Sequence, residues 1–120
     1  MYKNHFTKTF DQLVLPRESG LCLWFFSIPS ELYPITTFEK QWANELGLSR
    51  SLQYQITRGC ARKVLSDLLG LPNLKIPLYA PPGEPPKLPD GFGYVNFSHC
   101  RDALLIGWAP EKIGVDLESI

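Results

Sequence analysis

Tyr94-Val95-Asn96-Phe97-Ser98-His99-Cys100-Arg101-Asp102 leads into the apolar run Ala103 to Trp108, then into Ile113-Gly114-Val115-Asp116-Leu117-Glu118. Short β-branched and aromatic runs bounded by turn residues predict three strands: Tyr94 to Phe97, Ala103 to Trp108 and Ile113 to Leu117. Pro110-Glu111-Lys112 turns between the last two and makes them a hairpin. Strands joined by tight turns are antiparallel, so this end of the chain reads as a small antiparallel sheet. Asp116 and Glu118 are two apart in a strand and project to one face. Two carboxylates together, with a Ser-His pair upstream, suit a hard cation holding a phosphate ester.

Working outward, Leu21 to Ile28 is an apolar run closed by Pro29 and predicts a buried strand. Thr36-Thr37-Phe38-Glu39 has the form of a capping box. Phe38, Trp42 and Leu46 recur at four-residue steps behind it, and Gly47 reads as the helix stop. A longer helix follows, with Ser49 as its cap. Its apolar stripe runs Leu52, Ile56, Cys60, Val64, Leu68, widened by Ala61, Leu65 and Leu69, and Gly70 and Pro72 end it. Arg58 and Arg62 lie one turn apart on this helix, and with Arg50 and Lys63 they make it locally basic. Lys75 to Tyr79 is a short extended piece that Pro77 restricts to a sheet edge. Ala80 to Gly91 is too proline-rich for a regular element and reads as a stiff exposed loop. Residues 1–19 are polar and mixed and read as a loosely ordered lead-in, leaving residues 20–120 as the domain. Strand, two helices and then strands give an α+β class, a small antiparallel sheet packed with helices.

Composition narrows the function classes. The chain has 120 residues, 44% of them hydrophobic, enough for one domain with a single core. Lys+Arg and Asp+Glu are both 12, so the basic excess of a non-specific nucleic-acid binder is missing. The longest apolar run, Leu21 to Ile28, is too short to span a bilayer. Met1 to Thr9 lacks the apolar core of a signal peptide. Cys22, Cys60 and Cys100 are odd in number and share no metal-type spacing, which points to thiols in a reducing cytoplasm. Cys100 follows His99 directly; neighbours in a strand face opposite ways, so the two are no catalytic dyad.

Each element also has a plain reading: a surface imidazole, a solvated arginine face, an exposed side of a terminal strand, a proline connector. Their order and spacing go further. Arg58-Gly59-Cys60-Ala61-Arg62, then Gly83-Glu84-Pro85-Pro86-Lys87-Leu88, then Asn96 to Asp102, then Gly114-Val115-Asp116-Leu117-Glu118 resemble the Sfp-type 4′-phosphopantetheinyl transferases over residues 36 to 120. The family pattern runs from a helix of Arg-Gly/Ala-x-x-Arg character through G-K-P-x-L and F-N-x-S-H-S-x-D to G-V/I-D-x-E. The last two motifs carry most of the match. The resemblance implies an enzyme that moves the phosphopantetheine arm of coenzyme A to a serine of an acyl or peptidyl carrier protein and releases 3′,5′-ADP. Such enzymes serve fatty acid, polyketide and nonribosomal peptide biosynthesis. It further implies His99, helped by Ser98, at the 3′-phosphate of coenzyme A. Asp116 and Glu118 would sit on a magnesium ion at the pyrophosphate, and Arg58 and Arg62 would add phosphate-binding charge.

Departures from the pattern set further expectations. Glu84 stands where the family has Lys, so that an adenosine-side contact is lost or passed to Lys87, and Cys100 replaces a Ser. A W-x-x-K-E-A-type motif, whose Glu completes the family's metal site and is proposed to act as general base, does not follow Glu118. The resemblance is therefore to the N-terminal half of a pseudo-twofold fold, with no complete catalytic set and little transfer expected of this chain alone. The alternatives are a non-catalytic half-domain that binds coenzyme A, a carrier or a partner protein, and a small domain whose Asp-x-Glu strand is only surface. On the half-fold reading, Trp24-Phe25-Phe26 and the strand of Trp108 contribute to an apolar face that favours self-association.

Overall fold

Thr36 and Glu39 exchange hydrogen bonds at the start of the first helix, α1 (Thr37–Asn44). The Glu39 N–H donates to the Thr36 hydroxyl at 3.2 Å, and the Thr36 N–H donates to Glu39 Oε1 at 2.9 Å, the capping box expected from the sequence. The computed structural model describes residues 10–14, 20–27, 32–100 and 102–111. They comprise strands β1 (Phe10–Val14) and β2 (Cys22–Ser27), helices α1 and α2 (Leu48–Leu69), a 3₁₀ turn at Asn73–Lys75, and strands β3 (Tyr94–Cys100) and β4 (Ala103–Ala109). The class is α+β. By contacts the chain divides into two units, Glu31–Pro85 with both helices, and Met1–Ser30 plus Pro86–Ile120 with the strands.

In the helical unit, α1 ends at Asn44 with Glu45 as its C-cap, short of Gly47. Gly47 is extended (φ −61°, ψ 159°) and is itself the N-cap of α2, so Ser49 falls inside the first turn instead of capping it. The link between the helices is too short for one to stop at Gly47 and another to be capped at Ser49. Gly70 closes α2 in the left-handed conformation, its N–H donating to the Ser66 carbonyl, as expected. The predicted stripe is buried at Ile56, Cys60, Ala61, Val64 and Leu65, whereas Leu52 is exposed. Every residue from Ile56 to Arg62 is buried, so the middle of α2 is enclosed on all sides.

Gly59 shows how tightly. A Cβ added there would lie 2.6 Å from the backbone oxygen of Tyr33, which cannot rotate away. Gly59→Ala should therefore lower stability by about 1–3 kcal/mol from overpacking, more than the ~1 kcal/mol that alanine returns in helix propensity. Urea unfolding reads the balance. A midpoint that rises would mean the Tyr33 backbone yields freely.

In the strand unit, β1, β2, β4 and β3 lie in that order as one antiparallel sheet. Residues 10–14 thus pair with β2 where the sequence reading had a lead-in. Phe10 and Leu13-Val14 alternate with polar residues too briefly to stand out until a partner strand is present. Strand β2 is buried on one face only. Trp24 and Phe26 sit opposite Ile106 and Leu104, all four at 2% exposure or less, while Phe25 between them is exposed. Trp24 and Phe26 therefore belong to the core and not to the exposed apolar face expected of them. Trp108 is half-buried, its indole N–H donating to the Phe92 carbonyl at 2.8 Å. It rests on Gly93 (φ 85°), where a Cβ would meet the indole at 2.5 Å. Strand β4 pairs with β2 on one side and β3 on the other, and the strand expected at residues 113–117 as its hairpin partner is not among the described elements. Residues 113–117 themselves lie outside the described residues. Among the described residues no helix is long and apolar enough to cross a membrane.

Candidate functional site

The two helix arginines point into the protein. Arg62 is 2% exposed and commits all five of its N–H donors. Nε and Nη2 take Glu39 Oε1 and Oε2 at 2.8 and 3.0 Å, the paired fork that suits a carboxylate. Nη1 donates to the carbonyls of Asn73 (3.1 Å) and Ile76 (2.8 Å), and Nη2 also to that of Leu78 (3.3 Å). The extended piece after the 3₁₀ turn is therefore not a strand of the sheet. Pro77 withholds one donor there, and a guanidinium satisfies the carbonyls. Arg62, expected at a phosphate, is an internal crosslink with no donor left for a ligand.

Arg58, one turn earlier, is buried too. Its Nε donates to the Ala80 carbonyl at 2.9 Å, Nη1 to the Thr57 hydroxyl at 3.0 Å and Nη2 to the Pro81 carbonyl at 3.4 Å. Its guanidinium lies 4.2 Å from the centre of the Tyr54 ring, a cation–π contact. The Tyr54 hydroxyl donates to the same Ala80 carbonyl at 2.8 Å. Arg58 is thus also turned away from the solvent face expected of it. Burial of its charge lowers its pKa, and Tyr54 opposes that shift.

Burial likewise holds the Tyr54 phenol above its ordinary pKa, with Arg58 pulling the other way and Glu39 adding to the rise. The unfolded chain then loses this proton at lower pH than the folded one. The contribution to stability is whole below the ordinary phenol range and is lost as pH rises through the folded pKa. Tyr54→Phe should cost about 1 kcal/mol at neutral pH through the lost hydrogen bond. The gap between the two proteins should close as pH rises past about 10. Urea unfolding at pH 8 and pH 11 tests this, and a constant gap would contradict it.

The remaining expected contacts belong to the strand unit. His99 is exposed near the end of β3, and β3 is the outer strand of the described sheet. Ser98, half-buried, points to the opposite face. Register sets Ser98 across from Leu105 and Phe25, and His99 across from Leu104 and Phe26. The uninterrupted register separates the two side chains, so Ser98 does not assist His99 from the same face. Lys87 is exposed in the loop before β3. Asp116 and Glu118, the expected metal ligands, lie outside the described residues. Among the described residues no three His, Cys, Asp or Glu side chains are grouped to hold a metal. A cavity of about 240 Å³ between Leu88, Asp90, Tyr94 and Pro110 lies at the other end of β3 from His99. It is lined by a carboxylate and no cation, the wrong sign for a phosphate.

Glu39, Tyr54 and Thr57 were not among the expected site residues, yet they fix both arginines. The signal was present in the spacing. Tyr54, Arg58, Ala61, Arg62 and Leu65 share one helix face, and arginines in line with apolar residues need an internal acceptor. Glu39 was read only as half of the capping box. Comparison of the chain with protein-family models, with curated proteins and with solved structures gives no match.

Proposed function

We propose that this chain is the N-terminal half-domain of a phosphopantetheinyl transferase of the Sfp type, one half of the pseudo-twofold fold, working in the reducing cytoplasm. Its role in this reading is to hold coenzyme A, with His99 at the 3′-phosphate and Lys87 on the adenosine side. The carrying observation is the exposed His99 on β3, the last strand of the described sheet, inside a hairpin whose Asn96 to Asp102 spacing follows the family motif. The element order, strands β1 and β2, two helices and strands β3 and β4, supports it as well. Asp116 and Glu118 would hold magnesium, which supplies positive charge at the pyrophosphate when bound. The acceptor is a serine of an acyl or peptidyl carrier protein.

A second reading is a half-domain that binds coenzyme A or a carrier protein without transfer. The inward turn of Arg58 and Arg62 favours it, because two cations expected beside the phosphates are used elsewhere. Calorimetric titration with coenzyme A and magnesium tests what the readings share. Binding that weakens with dephospho-coenzyme A is expected; no binding of either compound would sink the coenzyme A reading. Incubation with coenzyme A, magnesium and an apo carrier protein then tests the second reading. A carrier mass raised by one phosphopantetheine at catalytic protein levels would exclude it, while little or no transfer by this chain alone is expected on either reading.

A further inference from the structure

We propose that the cavity at the Tyr94 end of β3 is a binding site for a guanidinium group. The cavity, about 240 Å³, lies between Leu88, Asp90, Gly91, Tyr94 and Pro110, and every residue of its lining belongs to the strand unit. Asp90 is the charged residue of that lining and Tyr94 its aromatic one. Both are exposed to solvent. Among the described residues Asp90 has no ion-pair partner. A carboxylate beside an aromatic ring attracts a cation twice, through its charge and through the ring face. A guanidinium uses both at once, since its planar fork meets a carboxylate while its flat face lies on a ring. The volume, below the range of cofactor pockets, suits one group the size of a side chain.

The walls are held by the fold itself. Pro89 to Phe92 form a turn in which the Phe92 N–H donates to the Pro89 carbonyl at 3.1 Å and Gly91 sits third at φ 89°. A left-handed third residue is the mark of a type II turn, and it leaves Asp90 at the second, corner position. The Phe92 carbonyl in turn accepts the Trp108 indole N–H. Tyr94 begins β3 opposite Ala109, so the register brings it to the sheet end where Pro110 follows β4. Pro110 packs so close to Gly20 that a Cβ there would lie 2.9 Å from its Cγ. Groups held this way lose little freedom on binding, which favours a ligand as small as a guanidinium. His99 lies five residues further along β3, about 17 Å away at the usual strand rise. The site is separate from the proposed 3′-phosphate contact and does not rest on the coenzyme A reading.

Nuclear magnetic resonance titration of the full chain with acetyl-arginine amide, methylguanidinium and acetyl-citrulline amide, at constant ionic strength, tests the inference. The two guanidinium probes should bind with roughly millimolar affinity, in keeping with so few contacts, and shift the amides of Asp90, Gly91, Gly93 and Tyr94. The citrulline amide, uncharged but of similar shape, should bind about tenfold more weakly. Asp90→Asn should weaken the arginine amide about tenfold, and Tyr94→Leu about three- to fivefold. Glu45→Gln, at the exposed C-cap of α1, should leave its affinity unchanged. Tighter binding of the arginine amide than of methylguanidinium assigns the site to an arginine within a peptide chain; equal binding assigns it to a free guanidino compound. Equal affinity for the citrulline amide, full affinity in Asp90→Asn, or no shift at residues 90–94 would each overturn the inference. The citrulline comparison uses the unmodified chain, so it decides the matter even where a variant fails to fold.

Discussion

Arg62→Ala is expected to lower the unfolding free energy by about 3–5 kcal/mol, the cost of leaving a buried charge without its partner. Glu39 would keep its carboxylate at 1% exposure, facing the Thr36 N–H but no longer a guanidinium. The carbonyls of Asn73, Ile76 and Leu78 would lose their guanidinium donors at the same stroke. Domains of this size have about 5–15 kcal/mol in total, so the variant should sit near the edge of folding. Glu39→Gln in the same chain should recover part of the loss, because a neutral amide costs less to bury than an unpaired carboxylate. Urea unfolding of the two variants measures both steps. A loss below about 1 kcal/mol would mean that the interior relaxes around the missing side chain.

His99→Ala should weaken coenzyme A binding about ten- to a hundredfold, the equivalent of one charge-assisted hydrogen bond of roughly 1.5–3 kcal/mol. The same substitution should leave dephospho-coenzyme A nearly unaffected, since that compound lacks the 3′-phosphate assigned to the imidazole. The contrast between the two ligands carries the test. Equal losses would remove His99 from the 3′-phosphate and give it a structural role on β3. Because His99 is exposed at a strand end, its removal opens no cavity and the folded state should persist.

The helices were legible because their signals are local. Thr36 and Glu39 name their own hydrogen bonds, and Gly70 its left-handed cap, within four residues of chain. The sheet was legible only where strands carry long apolar runs. Strand β1 pairs residue by residue with β2, and nothing inside Phe10–Val14 announces partners 8 to 16 positions away. The arginines mark the same boundary at the site. Spacing placed Arg58 and Arg62 on one helix face, but the side that face met depended on Glu39 and on the carbonyls of residues 73–81, all distant in sequence. Lys87, Ser98 and His99 could be named from the motif. That Ser98 and His99 part company across the sheet is a matter of register.

That parting decides how an anion can approach. With Ser98 and His99 on opposite faces of the last strand of the described sheet, the phosphate of the proposed reading, lying flat on either face, would meet one of them at most. To touch both it must sit astride the rim of the sheet, as a clip sits on the edge of a page. Two residues before Ser98, the Asn96 side chain accepts the backbone N–H of Phe97 at 2.9 Å.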